Sequence, residues 1–373
     1  MSQDFTTRLQ LQLREAALRE ERRGPLGQRL AGLRYGMPGP TAATAVALAA
    51  ALVVAVVVAG GLRWGGERPV SHPKVVADFP LADNLGFMAS GFGSVWVADS
   101  KNLEVLRVDP RTHQVQARIP TGGDTNALGG DPVVNTGAGA VWAIARAPGV
   151  DGGSRVLRID PETNRVTARV TLPARQAPLV FDIQIVDGRP WVLTARGAIE
   201  LDPATARPRG FIAIDQPAGE PFPPWAIIAG DELWVLTRQA TVDRYDLADG
   251  RKTQSDPVPA AGAWGVVPTS EGALYGIRDG VLALADDDGK VVWRRQLGTG
   301  TSPPVVMGGT VWVHASDTEG GRDRLVELDL GTGKVRSSTG LPQFGIRGIT
   351  TVGDDLWLST PNGRVTIVRP PTD

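Results

Sequence analysis

One short pattern recurs seven times along this chain: an apolar residue, an aromatic residue and a further run of apolar or small residues. The copies read SVWVADS, AVWAIAR, RPWVLTA, ELWVLTR, ALYGIRD, TVWVHAS and DLWLSTP. Their aromatics are Trp96, Trp142, Trp191, Trp234, Tyr275, Trp312 and Trp357, spaced 37 to 49 residues apart. A fixed period of this size marks a repeat architecture, and about 40–45 residues is the length of a four-stranded propeller blade. Helical solenoids of similar period require apolar spacing near 3.6, which is missing here.

The unit is clearest in its first two copies, GFMASGFGSVWVADS with EVLRVDPRTHQVQARIPTG, then DPVVNTGAGAVWAIAR with SRVLRIDPETNRVTARVTLP. Each contains an inner strand, a glycine turn, the aromatic strand, a loop, a third strand ending in aspartate and a fourth, outer strand. The turn before the fourth strand is DPRT, DPET, DPAT, then DLADG, DDDG and DLGTG, residue types that supply tight-turn geometry. Such turns account for much of the 46 glycines and 29 prolines among 373 residues, while a 42% hydrophobic content argues against disorder. The seventh copy has strands at 346–352, 356–360 and 364–369 but no fourth. Residues 74–80, KVVADFP, precede the first copy unclaimed and match VQARIP at 115–120. The expectation is an all-β, seven-bladed β-propeller over 74–373, closed by an N-terminal strand that completes the last blade and covers an otherwise open edge. Buried between sheets, the repeated aromatics serve the architecture.

The repeat VWVADS…VLRVDPRTHQVQARIPTG resembles the bacterial seven-bladed propellers called YVTN-repeat, NHL-like and virginiamycin B lyase-like, over roughly residues 74–370. The resemblance implies the fold; function varies across such domains, which include antibiotic lyases, sensor domains and binding modules. Lyase-like members use a histidine with acidic metal ligands where the central channel opens. No position here matches that set. Of three histidines, His72 lies in the stalk, His113 in the turn on the opposite face, and His314 two residues after Trp312, where it is expected to pack within a blade. No catalytic residue, metal site or cofactor is therefore assigned.

Ahead of the repeats, residues 41–62 form 22 positions without a charge. As a helix they would span about 33 Å, enough for a bilayer core. The run is too long and starts too late for a secretory signal peptide, so it reads as an uncleaved anchor. Seven arginines precede it, at positions 8, 14, 19, 22, 23, 29 and 34. The positive-inside rule then places segment 1–40 in the cytoplasm and the propeller outside the cell membrane, on a stalk at 63–73. Residues 4–23 fit a basic amphipathic helix, read as a topology signal; the alternatives are a segment that lies on the inner leaflet or grips a cytoplasmic partner, and the output end of a signalling pair.

With no cysteine, disulfides, thiolate metal sites and a thiol nucleophile are excluded. A net charge of −1 gives no reason to expect a nucleic-acid partner. Signatures of serine hydrolases, zinc proteases and P-loops are missing, and quinoprotein dehydrogenases have eight longer blades. The 39 basic residues are mostly arginine, a bias typical of GC-rich, actinobacterial genomes.

One pattern rises above the fold. Arg146, Arg196, Arg238 and Arg278 stand at the ends of the aromatic strands in copies two to five, and loops entering inner strands add Arg175, Trp225, Trp264, Phe344 and Arg347. Arginines beside aromatics on one face suit an anionic or glycan ligand. Asp317, Glu319 and Asp323 in the copy-six loop are placed to take a cation or to pair with those arginines, and the longest loops of this face are 147–155 and 316–324. The expected function is a non-catalytic binding, scaffold or sensor module for an extracytoplasmic protein, peptide or envelope polymer. The alternative is a lyase-like or hydrolytic enzyme acting on a secreted small molecule.

Overall fold

The computed structural model describes residues 72–122, 133–146, 153–178, 180–215, 225–259, 261–316 and 323–371. Segment 1–40, expected to be cytoplasmic, the expected span 41–62 and all but the end of the expected stalk lie outside these residues, as do Asp317 and Glu319. The described residues form seven antiparallel sheets, each one blade of a β-propeller. Blade 1 consists of Leu85–Gly91, Ser94–Asp99, Glu104–Val108 and Val115–Pro120, and blades 2 to 6 occupy 133–171, 180–213, 225–257, 263–296 and 300–340. Because the four strands alternate in direction, each blade has a turn face, with its first–second and third–fourth connections, and an opposite loop face.

Closure follows the strand count. Blade 7 pairs Gly348–Val352, Asp355–Ser359 and Arg364–Arg369 in order, and Lys74–Pro80 completes it on the outside. Asp78 fastens this strand: its carboxylate accepts from the Arg364 guanidinium at 2.7 Å, Thr366 Oγ1 at 2.9 Å and Gln343 Nε2 at 3.2 Å. Burial works to raise the Asp78 carboxyl, but these donors and the Arg364 charge outweigh it and hold it below its ordinary value. Phe79 on the same strand stacks on His113 of blade 1, with ring centroids 4.8 Å apart, and Trp357 meets that imidazole edge-on. His113 is thus an aromatic wedge at the blade 7–blade 1 seam.

The repeated aromatics are all nearly or fully buried, from 0% exposure at Trp96 and Trp142 to 9% at Trp234. Arginines on third strands extend their role: Arg107 lies over Trp96 and donates at 2.7 Å to the Pro161 carbonyl in the next blade's turn, as Arg158 does to Pro203 at 2.9 Å. The turns themselves are preorganised. Asp109, Asp160, Asp202 and Asp246 each accept N–H groups two and three residues ahead. Those aspartates are spent on turn geometry. A residue one or two positions before each of these outer strands has positive φ (His113, Asn164, Ala206, Gly250, Gly289, Gly333), a conformation that favours the glycine of the later copies.

Blade 6 departs from the repeat. Its inner strand is broken into Gly300–Thr301 and Val305–Met307, both paired with Thr310–Ser316. Pro303 and Pro304 cannot donate to the ladder. Ser302 bridges the gap: its N–H donates to the His314 carbonyl at 2.9 Å, and its Oγ accepts the His314 N–H at 3.1 Å.

Candidate functional site

On the loop face the second–third strand connections of blades 3, 4 and 5 are tight turns, and each presents an exposed arginine: Arg196, Arg238 and Arg278. In blade 3 the turn is closed by Thr194, whose Oγ1 accepts the Arg196 N–H at 3.1 Å. The same hydroxyl donates at 2.7 Å to the carbonyl of Gln176, in the turn that carries exposed Arg175. One buried threonine thereby joins two arginine-bearing turns that are remote in sequence. Gly197 completes the turn at φ 141°, where a Cβ would stand 1.8 Å from the Ile212 carbonyl oxygen, so no other residue fits.

Blade 5 continues the face. The Arg278 N–H donates to the Gly262 carbonyl at 3.0 Å, and the arginine stem lies beside Gly262. Two residues on, half-buried Trp264 lays its indole over Gly276, where an added Cβ would come within 2.5 Å of the ring. Trp225 departs from the expectation of a mouth aromatic. It begins the blade 4 inner strand and is 2% exposed, packed in the apolar core of blades 3 to 5, so it offers no surface to a ligand. Arg146 ends its strand as expected, paired with Ser154; its side chain is outside the described set.

Blade 6 carries a different device. His314 Nε2 and Asp323 Oδ2 are 2.7 Å apart, both groups nearly fully buried, and the same oxygen accepts the Gly345 N–H at 2.8 Å. Burial works to raise Asp323, but His314 and the Gly345 N–H hold it below its ordinary value. Asp323 was expected to take a cation or to pair with the arginines. Instead it is committed to His314 and to the loop that presents half-buried Arg347 and Phe344, the latter 65% exposed. His314 packs within its blade, as its position implied.

Asp323 is spent internally, whereas Arg175, Arg196 and Arg278 have no carboxylate partner among the described residues. Asp182, missed in the sequence, is fully buried on the blade 3 inner strand. One of its oxygens accepts the neighbouring Ile183 N–H at 2.8 Å, and the other has no hydrogen-bond partner among the described residues. Burial pushes its carboxyl well above the ordinary range, against the Ile183 N–H. Its only sequence signal is one acid in the apolar strand VFDIQIV. Two residues along the same face of the strand, Gln184 accepts the Ile228 N–H of blade 4 at 3.0 Å, and Asn135 of blade 2 donates to Ile183 at 2.9 Å, so polar links cross the inner strands. Among the described residues, no three acidic or histidine side chains are grouped to hold a metal ion.

No family model matches this chain, and no curated protein matches it. Solved structures do. Virginiamycin B lyase from Staphylococcus aureus aligns with TM-score 0.60 and 14% identity, over 80% of this chain and all of its own. The Swd1 (Cps50) β-propeller domain of Myceliophteria thermophila gives 0.59 and 11%, with the same coverage. BamB from Moraxella catarrhalis gives 0.54 and 13%, over 80% of this chain and 99% of its own. At such identities the likeness carries the propeller fold and nothing further.

Proposed function

We propose that this chain is a membrane-anchored, extracytoplasmic binding module, whose loop face holds an anionic partner: an acidic envelope polymer, or an acidic stretch of a protein or peptide. The observation that carries the reading is the row of exposed arginines at equivalent turns of blades 3, 4 and 5. The turn that carries Arg175 is tied to the first of them through Thr194, and Asp323 is engaged by His314. Guanidinium groups on rigid turns bind carboxylates or phosphates in bidentate fashion and lose little freedom in doing so. Trp264 and Phe344 add flat apolar surface suited to stacking. The 41–62 span, with arginines before it, supplies the anchoring and orientation in this reading.

The test is titration calorimetry of the full chain in detergent micelles with polygalacturonate as the polyanion probe. Replacing Arg196 and Arg238 together by alanine is expected to weaken binding about tenfold or more, since hydrogen bonds to charged groups contribute about 1.5–3 kcal/mol each. No binding by the parent chain, or unchanged affinity in the double variant, would remove the proposal.

A further inference from the structure

The opposite face has its own chemistry. Of the large apolar side chains left exposed, Val75, Val76, Val291, Val292 and Val335 all fall in the first three positions of an outer strand, and in three consecutive blades, 7, 5 and 6. Each group follows a lysine: Lys74-Val75-Val76, Lys290-Val291-Val292 and Lys334-Val335. The chain has 39 basic residues and only five lysines, so three at one repeat position of adjacent blades is a pattern in its own right. Among the described residues these three ammonium groups have no carboxylate partner, and all three lysines are exposed.

A β-bulge sharpens the pattern. In all seven blades the outer strand skips one residue in its pairing near its start, which turns that residue outward. The skipped residues are Gln116, Thr167, Arg209, Thr253 and Arg336 in blades 1, 2, 3, 4 and 6. In blades 5 and 7 they are Val292, 50% exposed, and Val76, 44% exposed. A position polar in five blades is valine in the two that flank Val335.

We propose that the turn-face rim of blades 5 to 7 is a lipid-docking surface that seats the propeller on the bilayer. This rests on the membrane-anchor reading of residues 41–62. Chain length favours lipid over another occupant. The propeller chain begins at Lys74, on this rim, and the eleven residues 63–73 that separate it from the apolar span reach about 40 Å at most. Valines flanked by lysines suit a bilayer interface: the apolar groups enter it, the lysine stems lie along it, and the ammonium groups meet headgroup phosphates. Asp287 and Asp288, beside Lys290, keep the local charge low, so valine burial leads and lipid charge is secondary. Docked in this way, the propeller turns its arginine-bearing loop face away from the membrane.

Because the chain has no cysteine, single cysteines report cleanly. Val76→Cys and Val292→Cys, with Gln116→Cys and Thr167→Cys at the same bulge as controls, would be labelled with bimane in the full chain. The labelled proteins are reconstituted in mixed phosphatidylcholine–phosphatidylglycerol vesicles. Brominated lipid is expected to quench positions 76 and 292 several-fold more than 116 and 167, and aqueous iodide to do the reverse. Equal quenching at all four positions, with the chain retained in the membrane after alkaline carbonate, overturns the docking surface and leaves the anchor standing. Carbonate release without lipid quenching overturns both. Release with lipid quenching confined to 76 and 292 supports the surface and rejects the anchor. Shielding from iodide without lipid quenching means that protein, such as a second copy, covers the rim, and that also overturns the proposal.

Discussion

The Thr194 hydroxyl donates a 2.7 Å hydrogen bond to the Gln176 carbonyl while accepting the N–H of Arg196, so a single buried side chain sets the separation of two arginine-bearing turns. Neither partner is a ligand group. Their pairing ties the backbones of the turns that carry Arg175 and Arg196.

Replacing Thr194 with valine keeps the shape and removes the hydroxyl, leaving the Gln176 carbonyl and the Arg196 N–H without this partner. A destabilisation of about 1–3 kcal/mol is expected from the lost buried hydrogen bonds, read by denaturant unfolding. Hydrogen exchange at Arg196 should quicken. In a double-mutant cycle, Arg175→Ala should cost less polyanion affinity in the Thr194→Val background than in the parent. Full additivity would mean that the hydroxyl does not set the pair.

The closing strand should be acid-sensitive. Asp78 is held below its ordinary value by Arg364, Thr366 and Gln343, so its contribution is present above the ordinary aspartate range and is lost as pH falls through that range. Asp78→Asn is expected to cost about 1.5–3 kcal/mol at pH 7, in line with hydrogen bonds to a charged group. Between neutral pH and pH 3 the parent should lose more melting temperature than the variant. Parallel pH profiles would show that Asp78 does not fasten the ring.

Asp182 has the opposite sign. Its folded-state value is raised, so the folded protein holds a proton there that the unfolded chain releases, and stability falls as pH rises from the ordinary aspartate range toward the raised value. Asp182→Asn, which cannot ionise, should melt higher than the parent at pH 8 and nearly equal to it at pH 4. The gap should widen by about 1.4 kcal/mol per pH unit across the interval. A gap independent of pH would mean that the carboxylate is satisfied in the folded state.

Blade number and closure were legible in the sequence because they rest on local, periodic signals. An aromatic at one register position, an aspartate turn at another and an unclaimed strand-like segment at residues 74–80 each repeat or complete a unit readable from the chain itself. The broken inner strand of blade 6 follows from Pro303-Pro304 but leaves the repeat spacing unmarked, because its two halves still pair with one neighbour. The candidate site was legible in composition and only partly in placement. The arginines of blades 3 to 5 stand on exposed turns, but Trp225 starts a strand whose side chain faces the neighbouring blade, and burial takes it out of the site.

What the sequence determined by itself was the ring, its seven units and its fastening strand, because alternation and turn chemistry act within one blade. The tertiary structure decided which groups meet: Asp323 with His314 and the Gly345 N–H, Thr194 with the Gln176 carbonyl, Asp182 without a full set of partners. It also gathered three lysine–valine groups, spread from residue 74 to residue 335, onto one rim. Those meetings depend on how strands and loops are brought together and on which residue a bulge turns outward, and the repeat spacing along the chain does not record them.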